Sequence, residues 1–461
     1  MNKLDEALNY LDENKESSLK KLIDLLKIPS ISTKQENKKN CIYASEWLKN
    51  ELIEIGFKVD LISTTGNPMV VANFKGNGPH YLFYGHYDVQ PIDPIELWKT
   101  DPFIPIIENT TAGKVLKARG SSDDKGQLMT FIEACRAIKK TSGTLPCQIT
   151  ILLEGEEEIG SPSMQKFLEK HIDKFKVDYA LVCDTNMWNE STPAIISMLR
   201  GLVGIELTIE ASNRDLHSGF FGGAAQNPIH ILSKILSNLH NKNGRITIDN
   251  FYDDVPEINK KLKDQWEELK FDEKKFLGNV GLSIPSGEMD FSALERLWSR
   301  PTCEVNGIWG GYIEQGVKTV LPSKASAKLT FRLVGNQNPK KIIEGFKKHV
   351  KKFLPSDCKV KYIEKTGSKA AQLDIDTPVI LAAEAALFSE WKVQPKLIGC
   401  GGSIPIGDHF KNILGIDSLM VGFALDNDNV HSPNEKYNLT SFFKGTRSWI
   451  RIIDNLSKIE N

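Results

Sequence analysis

Four apolar runs in this chain each lead into an acidic residue or a histidine, and that pattern restricts the fold more than any other feature. Tyr81-Leu82-Phe83-Tyr84-Gly85 runs into His86-Tyr87-Asp88, and Val115 to Gly120 leads to Asp123-Asp124-Lys125-Gly126. Ile149 to Gly155 leads to Glu156-Glu157-Glu158, and Tyr179 to Cys183 ends on Asp184. Short apolar runs alternating with helical patterns read as buried strands of an α/β sheet. Such sheets hold their ligands outside the carboxyl ends of the strands. Four strands delivering His, Asp, Glu and Asp to one rim therefore predict a metal site there, and with it a metalloenzyme.

Each group alone has a plainer reading. His86 and Asp88 would be a satisfied histidine beside a solvated carboxylate, Asp123-Asp124 an N-cap pair, and the glutamates an acidic turn. Taken together, charges at successive strand ends repel one another unless a cation offsets them. A pair of divalent ions does so, and an aspartate shared between them is a standard bridge in hydrolytic sites. Adjacent glutamates can divide two tasks, one ligating and the other taking a proton from the attacking water. An all-N/O ligand set suits Zn²⁺, Mn²⁺ or Co²⁺ alike.

A chain of 461 residues is too long for one core, so two or three domains are expected. The net charge of −1 and scattered lysines give no basic face for nucleic acid. The first residues lack the apolar core of a signal peptide, and no apolar run approaches the roughly 20 residues that span a bilayer. Seven dispersed cysteines without a CxxC pair read as reduced thiols of a cytoplasmic protein. Helical spacing predicts two N-terminal helices, the second capped by Ser17 or Ser18, and further helices over 44–55 and beyond Gly126. Near Arg200 the pattern changes. Residues 204–210 and 324–334 alternate in polarity like half-exposed antiparallel strands, with helices over 229–239 and 339–353. Residues 249–300 have only weak strand character, and helix and strand resume from about Pro378. The expectation is a discontinuous catalytic domain, 1–201 with 384–461, interrupted by an α+β domain over 202–383.

With these motifs in order, the chain resembles the carnosinase and cytosolic nonspecific dipeptidase branch of the aminoacylase/glutamate-carboxypeptidase metallopeptidases. The motifs are Gly85-His86-Tyr87-Asp88-Val89-Gln90-Pro91, Arg119 to Gly126, Glu154 to Ser161, Asp215-Leu216-His217-Ser218-Gly219, Gly401-Gly402-Ser403-Ile404-Pro405, and His431 to Lys436. The resemblance implies a zinc-peptidase-like mixed sheet with helices on both faces, plus an inserted dimerisation (lid) domain with an antiparallel sheet. It places two divalent ions, Zn²⁺ foremost: His86, Asp184 and bridging Asp123 on one, and Asp123, Glu158 and His431 on the other. Glu157 becomes the general base, acting on a metal-bridging water, and Asp88 steers His86. The peptide bond after the bridging aspartate is expected to be cis. His217 is expected to reach the other subunit's active site in a homodimer and donate to the oxyanion. Arg332, Thr319, Gly402 and Ser403 would hold the substrate's carboxylate. The family pattern Arg-Glu-Gly-Gly-Ser is replaced by Gly399-Cys400-Gly401-Gly402-Ser403, and a family His-Gly aligns with Thr366-Gly367. The expected activity is thus amide hydrolysis of dipeptides with a free carboxylate. N-acyl (succinyl or acetyl) amino-acid deacylation, or metal binding without catalysis, are the alternatives.

Overall fold

The structure is a computed structural model that describes residues 2–111, 113–402 and 405–459. The chain divides into two units, Met1–Ser197 with Leu373–Ile398 and Pro405–Asn461, and Met198–Gln372 with Gly399–Ile404. A mixed sheet organises the first. Its strand order is Lys58–Ile62, Met69–Phe74, Gln148–Glu154, His80–His86, Tyr179–Val182, Ser418–Met420, Ala194–Leu199 and Ala371–Gln372. Lys396–Cys400 pairs with Ala194–Leu199 off this path, making nine strands among the described residues. Strand His80–His86 runs parallel to both its neighbours, so it is central and buried on both faces. This explains why Tyr81 to Tyr84 reads as a continuous apolar run rather than an alternating one.

Successive side chains of that strand point to opposite faces and meet different partners. Phe83 stacks on Phe131 at 3.8 Å between ring centroids, with Trp449 edge-on to Phe131 at 5.2 Å. Tyr84, on the opposite face, meets Phe410 edge-on at 5.8 Å. Phe131 belongs to helix Lys125–Ser142, which is buried all round over its first four turns and stops at Gly143, whose φ of 74° is left-handed. Lys125, Gln127, Thr130, Glu133 and Arg136 are buried along with its apolar residues, so no face of the helix is left to solvent there.

The second unit carries a four-stranded antiparallel sheet, ordered Thr302–Gly310, Lys324–Leu333, Gly201–Glu210 and Lys359–Glu364. One face is apolar. Val203, Ile205, Leu207 and Ile209 join Ala327, Leu329 and Phe331 against helices Pro228–Ser237 and Pro339–Phe353. Both helices begin with Asn-Pro, where Asn227 Oδ1 accepts from Ile229 N and Asn338 Oδ1 from Lys340 N, each at 2.9 Å. An Asn N-cap with Pro at the first helical position stabilises a helix start by about 1 kcal/mol relative to Ala at the cap.

Three sequence expectations need correction. Strand Gly113–Lys117 is not part of the main sheet; it pairs with Ile106–Thr110 and Lys436–Asn438 in a small antiparallel sheet. Its first residues are exposed, as a two-sided buried strand would not be. The second N-terminal helix starts at Lys15 after Asn14, without a side-chain cap, so Ser17 and Ser18 lie inside it, and Ser18 Oγ donates to Glu133 Oε2 at 2.7 Å. Residues 249–300 hold three short helices, Lys260–Glu268, Glu273–Gly278 and Ala293–Trp298, the last with a Ser292/Glu295 capping box. No helix among the described residues is long and apolar enough to cross a membrane. The seven cysteines are all free thiols.

Candidate metal centre

His86 is the last residue of its strand and is fully buried. Its Nδ1 lies 3.2 Å from the Asp88 carbonyl oxygen and 3.4 Å from Asp88 Oδ1, while Nε2 lies 3.0 Å from Asp123 Oδ1 and 3.7 Å from Asp184 Oδ2. Asp123 turns its other oxygen to His431, with Oδ2 at 2.9 Å from Nε2, and His431 Nε2 is 3.2 Å from Glu158 Oε2. Two groups that could hold a metal result among the described residues: His86, Asp123 and Asp184, and Asp123, Glu158 and His431. Within each, the ligand atoms lie within 4.8 Å of one another. Asp123 belongs to both.

The donor chemistry fits a cation. Both nitrogens of His86 face only oxygens, and an imidazole with an acceptor at each nitrogen must either take a second proton or share a cation. Burial alone would lower the His86 pKa, but hydrogen bonds to Asp123 and Asp88 and the charges of Asp184 and Asp124 carry it well above its usual value. At His431, hydrogen bonds to Asp123 and Glu158 push the pKa up to about 10. Burial acts to raise Asp123, yet its hydrogen bonds to His431 and His86 hold it below the ordinary carboxylate range. Asp184 is raised by burial and then by Asp124. Carboxylates at such close quarters are the environment a divalent ion neutralises.

Supporting contacts fix these groups. Asp88 does more than face His86: its fully buried carboxylate accepts from Glu157 N at 3.2 Å and Glu158 N at 3.1 Å, tying the glutamate turn to the histidine strand. Gln90 Nε2 donates to Glu158 Oε2 at 2.7 Å. Glu435 is fully buried and accepts from Arg119 Nη1, Gly120 N and Ser122 N at 2.8 Å each and from Asp123 N at 3.0 Å. It thus shapes the whole approach to Asp123. Sequence reading missed this role, although Glu435 stands within the His431–Lys436 motif that it quoted. Gly126 is required at its place, since a Cβ there would lie 1.9 Å from the Ser121 carbonyl oxygen. The Asp123-Asp124 peptide bond is cis. His431 has φ 61°, a left-handed conformation, in a turn closed by Ser432 N donating to Asn429 O at 2.9 Å.

Glu157 lies next to Glu158 but belongs to neither ligand group. Burial raises its pKa, His86 opposes that, and the charges of Glu158 and Asp123 add to it. Its carboxylate is thus within electrostatic reach of both groups.

The remaining sequence-selected residues lie in the second unit. His217 and Thr319 come together on a two-stranded ribbon, where Ser218 N donates to the Thr319 carbonyl at 3.0 Å. His217 is exposed, and its Nδ1 accepts from Gly219 N at 3.0 Å, which leaves Nε2 to carry the proton of the neutral ring. Arg332 is half-buried on strand Lys324–Leu333, opposite Leu202 and Thr302. Gly402 is half-buried, and Ser403 lies outside the described residues.

The chain is similar to the Cys-Gly metallodipeptidase DUG1 of Candida albicans, with 28% identity over 467 residues that cover 96% of each protein. The structure of human carnosine dipeptidase 1 superposes with a TM-score of 0.78 at 26% identity, covering 100% of both chains. That of the M20 family metallo-carboxypeptidase Sso-CP2 from Sulfolobus solfataricus does so with a TM-score of 0.81 at 31% identity, over 96% of this chain and 99% of the other. The model of peptidase family M20/M25/M40 matches residues 82–455, and the chain belongs to that family, as a homologue of its metallodipeptidases.

Proposed function

We propose that this protein is a dipeptidase that holds two divalent ions, Zn²⁺ foremost, and hydrolyses the amide bond of small substrates with a free C-terminal carboxylate. The observation that carries this reading is Asp123 with one oxygen toward each histidine, beside a half-buried glutamate, Glu157, that belongs to neither ligand group. His86, Asp123 and Asp184 would hold one ion, and Asp123, Glu158 and His431 the other. When bound, the pair supplies Lewis acidity toward the scissile carbonyl and lowers the pKa of water to near neutrality. Glu157 takes the proton of the attacking water and returns it to the leaving amine; burial, which raises its proton affinity, favours that task. Asp88 fixes the His86 ring and, through the two backbone amides it binds, the position of Glu157. His217 donates Nε2–H to the developing oxyanion, acting across a homodimer, and Arg332 with Thr319, Gly402 and Ser403 receives the carboxylate. Residues 202–383 then serve as the dimerisation and lid domain of a catalytic domain formed by 1–201 and 384–461.

One observation favours a second reading, N-acyl amino-acid deacylation. A Cβ at Gly399 would lie 2.4 Å from Trp298 Cβ, so the arginine of the family pattern has no room there. Protein stripped with a chelator, then given Zn²⁺, Mn²⁺ or Co²⁺, separates the two on a panel of dipeptides and N-acyl amino acids. The dipeptidase reading predicts metal-dependent release from free-amine dipeptides. Cleavage confined to N-acylated compounds would replace it with the deacylase, and silence with every ion would leave only metal binding.

A further inference from the structure

His431 differs from the other histidine of the centre in what carries it. His86 ends a buried strand, whereas residues 428–435 have neither helix nor strand. His431 is also left-handed at φ 61°, between Asn429 at 57° and Asn434 at 64°. Side chains other than those of glycine and asparagine enter that conformation reluctantly, so the surroundings must hold it.

Two buried carboxylates anchor this segment, one on each side of His431, and Asn434 fastens it to Leu97 O and Lys99 N at 2.8 Å each. After His431 stands Glu435, with its bonds to the backbone of Gly120, Ser122 and Asp123. Before it stands Asp428, which is fully buried. Asp428 Oδ2 accepts from Ser122 Oγ at 2.8 Å and from Leu425 N at 2.9 Å. Its Oδ1 accepts from Lys436 Nζ at 2.5 Å, and its carbonyl from Lys436 N at 3.0 Å. The Lys436 bonds close the segment on itself. The Ser122 bond ties it to the residue before Asp123.

The two anchors divide the work. Glu435 holds the amides of Ser122 and Asp123, so it fixes Asp123 whether or not the Ser122 hydroxyl is engaged. Loss of the bond between Asp428 and Ser122 instead frees the half of the segment that brings His431 Nε2 to 2.9 Å from Asp123 Oδ2. His86 and Asp184 stand at the ends of other strands and keep their places.

We propose that Asp428 is a positioning residue for His431, and that through Ser122 it sets the affinity of one metal position and spares the other. The dependent position is Asp123, Glu158 and His431; the independent one is His86, Asp123 and Asp184. This rests on the reading that the centre holds two ions.

The test reads the metal itself. Chelator-stripped full-length protein is titrated with Zn²⁺ against a chromophoric competitor, and circular dichroism checks that each variant is folded. Wild type should take up two ions, His431→Ala only the independent one and Asp184→Ala only the dependent one. Adding Ser122→Ala, which removes a single hydroxyl, should weaken the ion left in Asp184→Ala about 10- to 100-fold. The ion left in His431→Ala should stay within about twofold. In the wild-type background the same substitution should weaken one ion and spare the other, and Asp428→Asn should act in the same direction. Equal weakening of both ions would make the contact a general brace of the fold, and that result overturns the proposal, as does no weakening of either. Wild-type protein that binds fewer than two ions would instead overturn the two-ion reading, and this proposal with it.

Discussion

Asp123 reaches two histidines from one carboxylate, so its loss should not resemble the loss of an outer ligand. Asp123→Ala is expected to empty both metal positions, whereas His431→Ala should leave one ion per chain; elemental analysis after gel filtration distinguishes them. A second expectation concerns protons. The His431 pKa near 10 keeps that ring protonated at neutral pH in the metal-free protein, and a ligating imidazole must be neutral. Metal binding should therefore release protons at pH 7, and affinity should rise as pH rises toward 10. Calorimetry in buffers of different ionisation enthalpy reads that release directly; an enthalpy independent of buffer would contradict it. At this scale the candidate ligands His86, Glu158 and Asp184 were legible because each follows an apolar run, and strand ends are where α/β sheets place chemistry, whereas His431 came only with the family resemblance. Glu435 and Gln90 were not legible, because their roles come from partners far along the chain, such as Glu435 with Arg119. Only the fold brings those together.

The elements that deliver the candidate ligands differ in how firmly sequence specified them. Strand His80–His86 and helix Lys125–Ser142 carry apolar patterns that their burial explains. The loop between Gly120 and Asp123 carries no such pattern. It is held by the Glu435 carboxylate rather than by a sheet, which is why an approach to Asp123 read as a sheet strand proved to belong to a separate small sheet. Removing Glu435 would leave Arg119 buried without its carboxylate, at 1% exposure. Glu435→Ala should then destabilise the protein by about 3–5 kcal/mol, read from denaturant unfolding of the metal-free form. Gly126→Ala should displace the same loop through the Ser121 carbonyl and weaken metal binding about 10- to 100-fold, the range for lost support around ligands. The helices within 249–300 escaped sequence reading because each is short, and few turns give little periodicity to detect.

At the scale of the whole molecule, the sequence marked two regions of different character, and the chain divides into a mixed-sheet unit and an antiparallel-sheet unit. The change from continuous to alternating apolar patterns near Arg200 made this legible, since strands covered on both faces and on one face differ in that respect. On the edge strand Thr302–Gly310, Ile308 and Trp309 are exposed, and the proposed homodimer would cover such residues. If His217 serves a neighbouring subunit, mixing His217→Ala with Glu157→Gln should restore part of the wild-type activity, up to about a quarter if subunits exchange at random and each hybrid holds one intact site. Two inactive variants that stay inactive on mixing, under conditions where subunits exchange, would remove the shared site. The most direct test of the central claim is Glu157→Gln itself, with metal content and turnover measured on the same sample. A free general base beside two ligated positions predicts wild-type metal content with turnover lower by about 10²–10⁴-fold. Near-normal turnover with full metal content would contradict the assignment, and loss of an ion would make Glu157 a ligand instead.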